Sequence, residues 1–239
     1  MNTVSTIDSP GDDPGADRIV FYADPISPYV YIACHRLAQL QAGRPALRID
    51  VAPVLLAGLL GHFGQLGPAE IAPKRTFTFK DTVRRCHDLG LPLAGPATHP
   101  FNPLAALRAV LAAPAADRLR ALTAIVDAGW GAGADLGDPA AIARALTGVG
   151  LDGLALVRAG EDPTVKQGLI TATGEAAARG VFGVPTFGVR DDLVFGQDRL
   201  PDALRVLAGA DPVDADGLAQ LLARPAGATR SAAARARST

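Results

Sequence analysis

Apolar and polar positions divide the chain into a strand-rich frame interrupted by a long helical stretch. Arg18–Ala23 carries the contiguous run Ile19-Val20-Phe21-Tyr22 and reads as a buried-type strand. A helix is predicted from Ser27 to about Gln41, because Val30, Cys34 and Leu37 recur on one face. Ser27 suits its N-cap, Pro28 its first turn and Gly43 its stop. A second strand is predicted over 47–54, completing a βαβ unit with parallel pairing and a right-handed crossover. From 55 to about 169 strand signals almost vanish. Leu104, Leu107 and Leu111 share a helical face, as do Leu119, Leu122 and Val126; Ile142 with Leu146, and Leu154 with Val157, extend the series. Prolines punctuate it at Pro92, Pro96, Pro114, Pro139 and Pro163. A helix over Pro163–Arg179 then leads to a strand at Thr186–Val189, a tight turn near Asp191-Asp192 and a short strand over 193–195. A last helix begins near Asp198, with Pro201 in its first turn and Leu204 and Leu207 facing inward.

The order βαβ, helical stretch, α, ββα predicts an α/β protein. It is the strand arrangement of a thioredoxin-like domain, over 17–54 and 163–210, with an inserted all-helical domain over 55–162. Residues 1–16, polar and acidic with Pro and Gly, read as a disordered arm, and the Ala/Arg/Ser-rich residues 225–239 as a disordered tail. With 239 residues, 49% of them hydrophobic, the chain can fill a full core. A net charge of −1 removes the electrostatic case for nucleic acid or an anionic membrane as a partner, and no apolar run is long enough to span a bilayer. The first residues lack the basic and apolar segments of a secretory signal, so a cytoplasmic location is expected. In that reducing compartment Cys34 and Cys86 are expected to remain unpaired.

Three segments carry candidate chemistry. The first is Ser27-Pro28-Tyr29-Val30, between a strand and a helix N-terminus. Backbone N–H groups and the positive end of the helix dipole favour an anion or thiolate there. A Cys-x-x-Cys pair at this place would signal disulfide exchange; this chain has serine first and valine fourth. The thiol is therefore expected to arrive with a cofactor, although a serine that only caps the helix gives the same local sequence. The second is the run from Gly180 to Phe187, where Val184-Pro185 opens a strand; its backbone can pair with an extended ligand if the peptide bond is cis, and is an ordinary strand edge if trans. The third is Phe195-Gly196-Gln197-Asp198-Arg199-Leu200, where Asp198 either caps a helix or, with the helix N–H groups, recognises an amino-acid end group. Cys34-His35 and Cys86-His87 are spaced poorly for a metal, since helical neighbours diverge by about 100°. No metal site is expected. Tyr29, Asn102 and Trp130 are weaker candidates for a substrate pocket, each with a core or turn role as its alternative.

Taken together, these segments give the chain a family likeness. It resembles the 2-hydroxychromene-2-carboxylate isomerase family, related to the kappa-class glutathione transferases within the DsbA-like thioredoxin group, from about Ile19 to Leu207. The carriers are Phe21 to Tyr29, Ala72-Pro73-Lys74-Arg75, Gly90-Leu91-Pro92-Leu93, Pro100-Phe101-Asn102-Pro103, Trp130 ahead of Asp135-Leu136, Gly180 to Phe187 and Gly196 to Leu200. The resemblance implies a homodimer that binds glutathione, or another low-molecular-weight thiol. It implies that Ser27 contacts the sulfur and holds it as a thiolate, that Val184 before Pro185 pairs with the cysteinyl part, and that Lys74 contacts the tripeptide. It further implies that Gln197 and Asp198 bind the γ-glutamyl end, and that Gln65 stands where kappa-class relatives usually carry Asn. The implied reaction interconverts a hydroxychromene carboxylate and a hydroxybenzylidenepyruvate, a small aromatic substrate. A kappa-like transferase or peroxidase is the alternative, and a DsbA-like oxidoreductase lies further off for want of the Cys-x-x-Cys pair.

Overall fold

The structure is a computed structural model that describes residues 17–228. The expected arm over 1–16 lies outside the described residues, as does the expected 225–239 tail from 229 onward.

Four strands form one sheet in the order β2-β1-β3-β4, with β1 at Arg18–Ala23, β2 at Arg48–Pro53, β3 at Thr186–Val189 and β4 at Asp192–Phe195. β1 runs parallel to β2 through the crossover helix α1 (Pro28–Gly43), whereas β3 joins β1 antiparallel and forms a hairpin with β4. Phe21 pairs with both Val51 and Phe187, and the Phe21 and Phe187 rings stack 5.6 Å apart at the centre of the sheet. Val30, Cys34 and Leu37 are fully buried under it, as the helical spacing predicts.

Residues 55–162 hold no strand. They fold as α2 (Leu56–Phe63), α3 (Ala72–Leu89), α4 (Leu104–Ala112), α5 (Arg118–Val126), a π-helical turn at Asp127–Gly131, α6 (Pro139–Gly148) and α7 (Gly153–Ala159). One hydrophobic core runs through both parts: Leu59, Phe101, Ile125, Trp130 and Leu136 from the helical stretch join Phe21, Ile32 and Phe187 from the sheet side. A smaller cluster of Leu107, Leu111, Val165 and Leu169 packs α4 on α8 (Pro163–Arg179). α8 spans the predicted residues, and the structure shows why: Asp162 accepts from Thr164 N at 2.7 Å, Pro163 occupies the first turn, and Gly180 closes the helix at φ 101°, a conformation that suits glycine.

Three expectations are corrected. Leu154 is 66% exposed, and Leu156 with Val157 takes the inward side of α7 instead. The reason is Gly153, where a Cβ would lie 2.0 Å from the Ala143 carbonyl oxygen; that close approach to α6 sets the rotation of the short helix. The helix near Asp198 opens with a 3-10 turn at Gln197–Arg199 before α9 (Leu200–Leu207), and the Asp198 side chain caps neither piece. An additional helix, α10 (Ala215–Leu222), follows, capped by Asp214 and burying none of its residues.

Candidate active site

Ser27 ends the turn after β1 and is the N-cap of α1, with extended backbone at φ −89° and ψ 124°. Its carbonyl accepts from Val30 N at 3.0 Å, but its side chain makes no capping bond and the residue is nearly buried. A free hydroxyl thus stands at the positive end of a 16-residue helix whose first turn holds no acid.

The turn beneath this hydroxyl is held at every polar backbone position from Pro25 to the Ser27 amide. Ser27 N donates to the Asp24 carbonyl (3.1 Å) and Ile26 N to Asp24 Oδ1 (3.0 Å). The Pro25 carbonyl accepts from Trp130 Nε1 (2.9 Å) and the Ile26 carbonyl from His99 Nε2 (3.1 Å). Asp24 Oδ2 accepts from Leu56 N at 2.9 Å, so the same carboxyl caps α2, whose own N-cap Leu55 has no side-chain oxygen to offer. Asp24 is fully buried, and burial pushes its pKa up to about 7 against the pull of the two N–H bonds. A carbonyl can only accept, so His99 carries its proton on Nε2; its Nδ1 is a buried acceptor with no partner. Burial also holds the His99 pKa below the ordinary imidazole value.

Beside this turn lies a segment finished differently. Tyr22 pairs with Thr186 at the end of that ladder, so Val184-Pro185 enters β3 at the end of the sheet where Ala23-Asp24 leaves β1. The Val184–Pro185 bond is cis. The Pro185 carbonyl accepts from Gly196 N at 2.9 Å, whereas the N–H and C=O of Val184 have no partner among the described residues. Gln197 is 4% exposed; its carbonyl accepts from Arg36 of α1 at 3.1 Å, yet its side-chain Oε1 is buried without a partner. Asp198 is exposed and lies near enough to Tyr29 for its charge to help raise that phenol's pKa, behind burial and Asp81.

α3 closes the other side. Tyr29 Oη donates to Asp81 Oδ2 at 3.0 Å. The Phe79 and Trp130 rings each lie 5.3 Å from the His99 ring, making an aromatic wall behind the Ser27 turn. Trp130 is 1% exposed, so it supports that wall from within rather than lining open space. Lys74 is exposed in the first turn of α3, and Gln65 is exposed after the α2 cap Gly64; neither has a side-chain contact that joins it to the Ser27 turn. Asn102 Oδ1 accepts from Leu104 N at 3.1 Å, which spends its oxygen at the start of α4. The structure therefore brings together Ser27, Tyr29, Trp130, Val184, Pro185, Gln197 and Asp198, and leaves Gln65, Lys74 and Asn102 on the periphery. Asp24 and His99 escaped sequence reasoning; the one available signal was an acid directly after a buried-type strand and directly before proline.

Other chemistry is remote. A groove of about 710 Å³, lined by Ala38, Gln41, Leu119, Arg120 and Asp127, sits at the C-terminal end of α1, opposite Ser27. Cys34 and Cys86 are free and buried, and burial raises both thiol pKa values. Among the described residues no group of three His, Cys, Asp or Glu side chains is placed to hold a metal ion, and no helix is long and apolar enough to cross a membrane.

Comparison with known proteins agrees with this architecture. The DSBA-like thioredoxin domain family matches residues 18–208. The 2-hydroxychromene-2-carboxylate isomerase of Sphingobium xenophagum is 32% identical over 185 residues, covering 76% of this chain and 93% of that protein. A solved 2-hydroxychromene-2-carboxylate isomerase superposes with a TM-score of 0.72 at 24% identity, covering 85% of this chain and 98% of its own. A putative protein disulfide isomerase from Nitrosomonas europaea shares the fold at a TM-score of 0.62 and 16% identity, over 80% of this chain and 95% of its own. By the family match over residues 18–208 and the 32% identity to a relative over most of its length, the chain belongs to the 2-hydroxychromene-2-carboxylate isomerase family of DSBA-like thioredoxin-domain proteins.

Proposed function

We propose that this protein is a thiol-dependent isomerase that interconverts 2-hydroxychromene-2-carboxylate and trans-o-hydroxybenzylidenepyruvate, or a related aromatic-degradation compound, with glutathione as the thiol. The observation that carries the reading is the free Ser27 hydroxyl at a thiolate-favouring helix terminus in a chain whose own two thiols are buried. The 32% identical relative supports the reaction type. The site's unused polar groups fit a peptide-like thiol: Val184 offers an N–H and a C=O to an extended backbone, and Gln197 Oε1 offers a buried acceptor to an ammonium or amide. Asp198, and Lys74 and Gln65 from the rim, complete the ligand set of this proposal.

When bound, the thiol supplies a nucleophile whose reversible addition turns a locked conjugated C=C into a rotatable single bond. The chain's part is to hold and orient. The Ser27 hydroxyl donates to the sulfur, and the α1 terminus stabilises its negative charge. Asp24, His99 and Trp130 keep the hydroxyl in place through the turn. Ser27→Ala is expected to lower turnover ~10²-fold or more, the scale of losing one donor to a charged centre. The assay follows the ultraviolet spectrum of the chromene with and without glutathione. Glutathione-independent interconversion, or no interconversion alongside conjugation of a halonitrobenzene, would replace this reading with another, the second with a kappa-like transferase. A cytoplasmic homodimer is part of the proposal, and sedimentation of the purified protein tests the dimer.

A further inference from the structure

α3 meets the Ser27 turn with two neighbouring rows of side chains. One row holds Lys74, Thr78 and Asp81, and its last two members face the Tyr29 hydroxyl. The other holds Arg75, Phe79, Thr82 and Cys86, at the i, i+4, i+7 and i+11 spacing of one helical face. Thr82 and Cys86 are buried and Phe79 is partly buried, so Arg75 is the outermost member of a stripe that leads into the core. Its guanidinium is fixed there. It lies 5.0 Å above the Phe79 ring, and Nη2 donates to the His99 carbonyl at 3.1 Å. His99 in turn donates to Ile26, the residue before Ser27. After burial, the Arg75 charge is a further cause that keeps His99 below its ordinary pKa.

Most arginines near acids here are neutralised: Arg18, Arg85, Arg120 and Arg205 all meet carboxylates. Arg75 has no carboxylate partner among the described residues, and its ring and carbonyl contacts leave most of its five N–H donors unused. A guanidinium held in one plane by a ring, with its charge unmatched, is suited to bidentate capture of a carboxylate. The ring that holds it belongs to the aromatic wall of Phe79, His99 and Trp130.

The geometry points to Arg75 as the specificity-determining residue of an acceptor subsite for planar conjugated carboxylates, distinct from the Lys74 row whose inner members face Tyr29. It rests on the isomerase reading for the identity of the acid, and on the structure alone for the place and the charge. The subsite explains how one scaffold separates an acid acceptor from a neutral electrophile: the neutral molecule leaves the guanidinium unpaired.

The test is calorimetric titration with chromone-2-carboxylate, a planar acid that does not isomerise, and with its carboxamide. Quenching of Trp130, the one tryptophan in the chain, gives a second readout beside the wall. The wild type is expected to bind the acid ~10–100-fold tighter than the amide, the range of a charge-assisted hydrogen-bond pair. Arg75→Met should bind the two alike, Arg75→Lys should recover part of the preference, and glutathione affinity should hold within about twofold in both variants. A wild type that does not distinguish acid from amide, or a preference that survives Arg75→Met, overturns the proposal. So does a loss of glutathione affinity in Arg75→Met with the acid preference intact, which reassigns the cation to the thiol. Titration needs no turnover, so acid-selective binding without chromene interconversion would sink the isomerase reading and leave the subsite standing.

Discussion

The turn that carries Ser27 and the segments that carry Val184 and Gln197 leave the same end of the sheet, yet the first is finished and the others are not. Every backbone polar group from Pro25 to the Ser27 amide has a partner, two of them side chains from the helical stretch. Across from it, the Val184 N–H and C=O and the Gln197 side-chain oxygen have none among the described residues. Buried polar groups left unmade cost about 1–3 kcal/mol each, so a fold keeps them where something else will bind. The difference separates two jobs. In the proposed reaction the satisfied turn would position the Ser27 hydroxyl, and the unsatisfied segment would receive the thiol that supplies the missing bonds.

The largest test of the clamped half uses pH. Asp24 has a folded pKa of about 7 against an ordinary 3.8. Between these values the folded protein keeps a proton that the unfolded chain has released, so stability falls as pH rises through the window and levels off above it. A shift of this size corresponds to a loss on the order of 4 kcal/mol. His99 works in the opposite sense: its folded pKa lies below 6.5, the unfolded chain binds the extra proton, and stability rises with pH there. Urea unfolding of the wild type from pH 4 to 8 is expected to show a falling midpoint. In Asp24→Asn the fall should disappear and the His99 rise should emerge. A falling slope that persists in Asp24→Asn would assign it to another group and remove Asp24 from the account of the turn.

A smaller effect comes from Ser27 itself and separates capping from chemistry. Replacing an N-cap serine by alanine ordinarily costs about 1 kcal/mol. Here the hydroxyl makes no capping bond, so Ser27→Ala should change unfolding free energy by no more than about 0.5 kcal/mol while turnover collapses. A stability loss of about 1 kcal/mol or more, with turnover intact, would turn the serine back into a helix cap.

The two halves were unequally legible from the sequence, and range explains it. Ser27, Pro28 and Pro163 mark helix starts through their immediate neighbours, so the beginnings of α1 and α8 are read from local sequence. Thr186–Val189 is read from its apolar run between turn residues. The clamp joins residues 32, 73 and 105 positions apart, and no local pattern encodes such a meeting; an Asp before a proline looks like any turn. The outward turn of Leu154 is equally non-local, since it follows from the approach of Gly153 to α6. α10 differs again: Leu218, Leu221 and Leu222 carry the i, i+3, i+4 spacing of a helix, yet all three are exposed, so the local pattern marks the element and no core contact completes it.

The open half is sharpened by Gln197, where fold and ligand pull in opposite directions. Its Oε1 has no partner among the described residues, while its backbone carbonyl, held by Arg36, joins this turn to α1. Gln197→Met keeps the length and the backbone contact and removes the unpaired oxygen. Unfolding free energy should therefore stay level or rise by about 1 kcal/mol, because the variant no longer buries an unmade acceptor. Glutathione affinity should fall ~10-fold, the value of one hydrogen bond to a charged group. The two changes must appear together to support a receptive segment. A variant that loses stability and keeps its affinity would mean that Gln197 already completes its hydrogen bonding within the fold, and the contrast between a finished turn and an unfinished neighbour would reduce to Val184 alone.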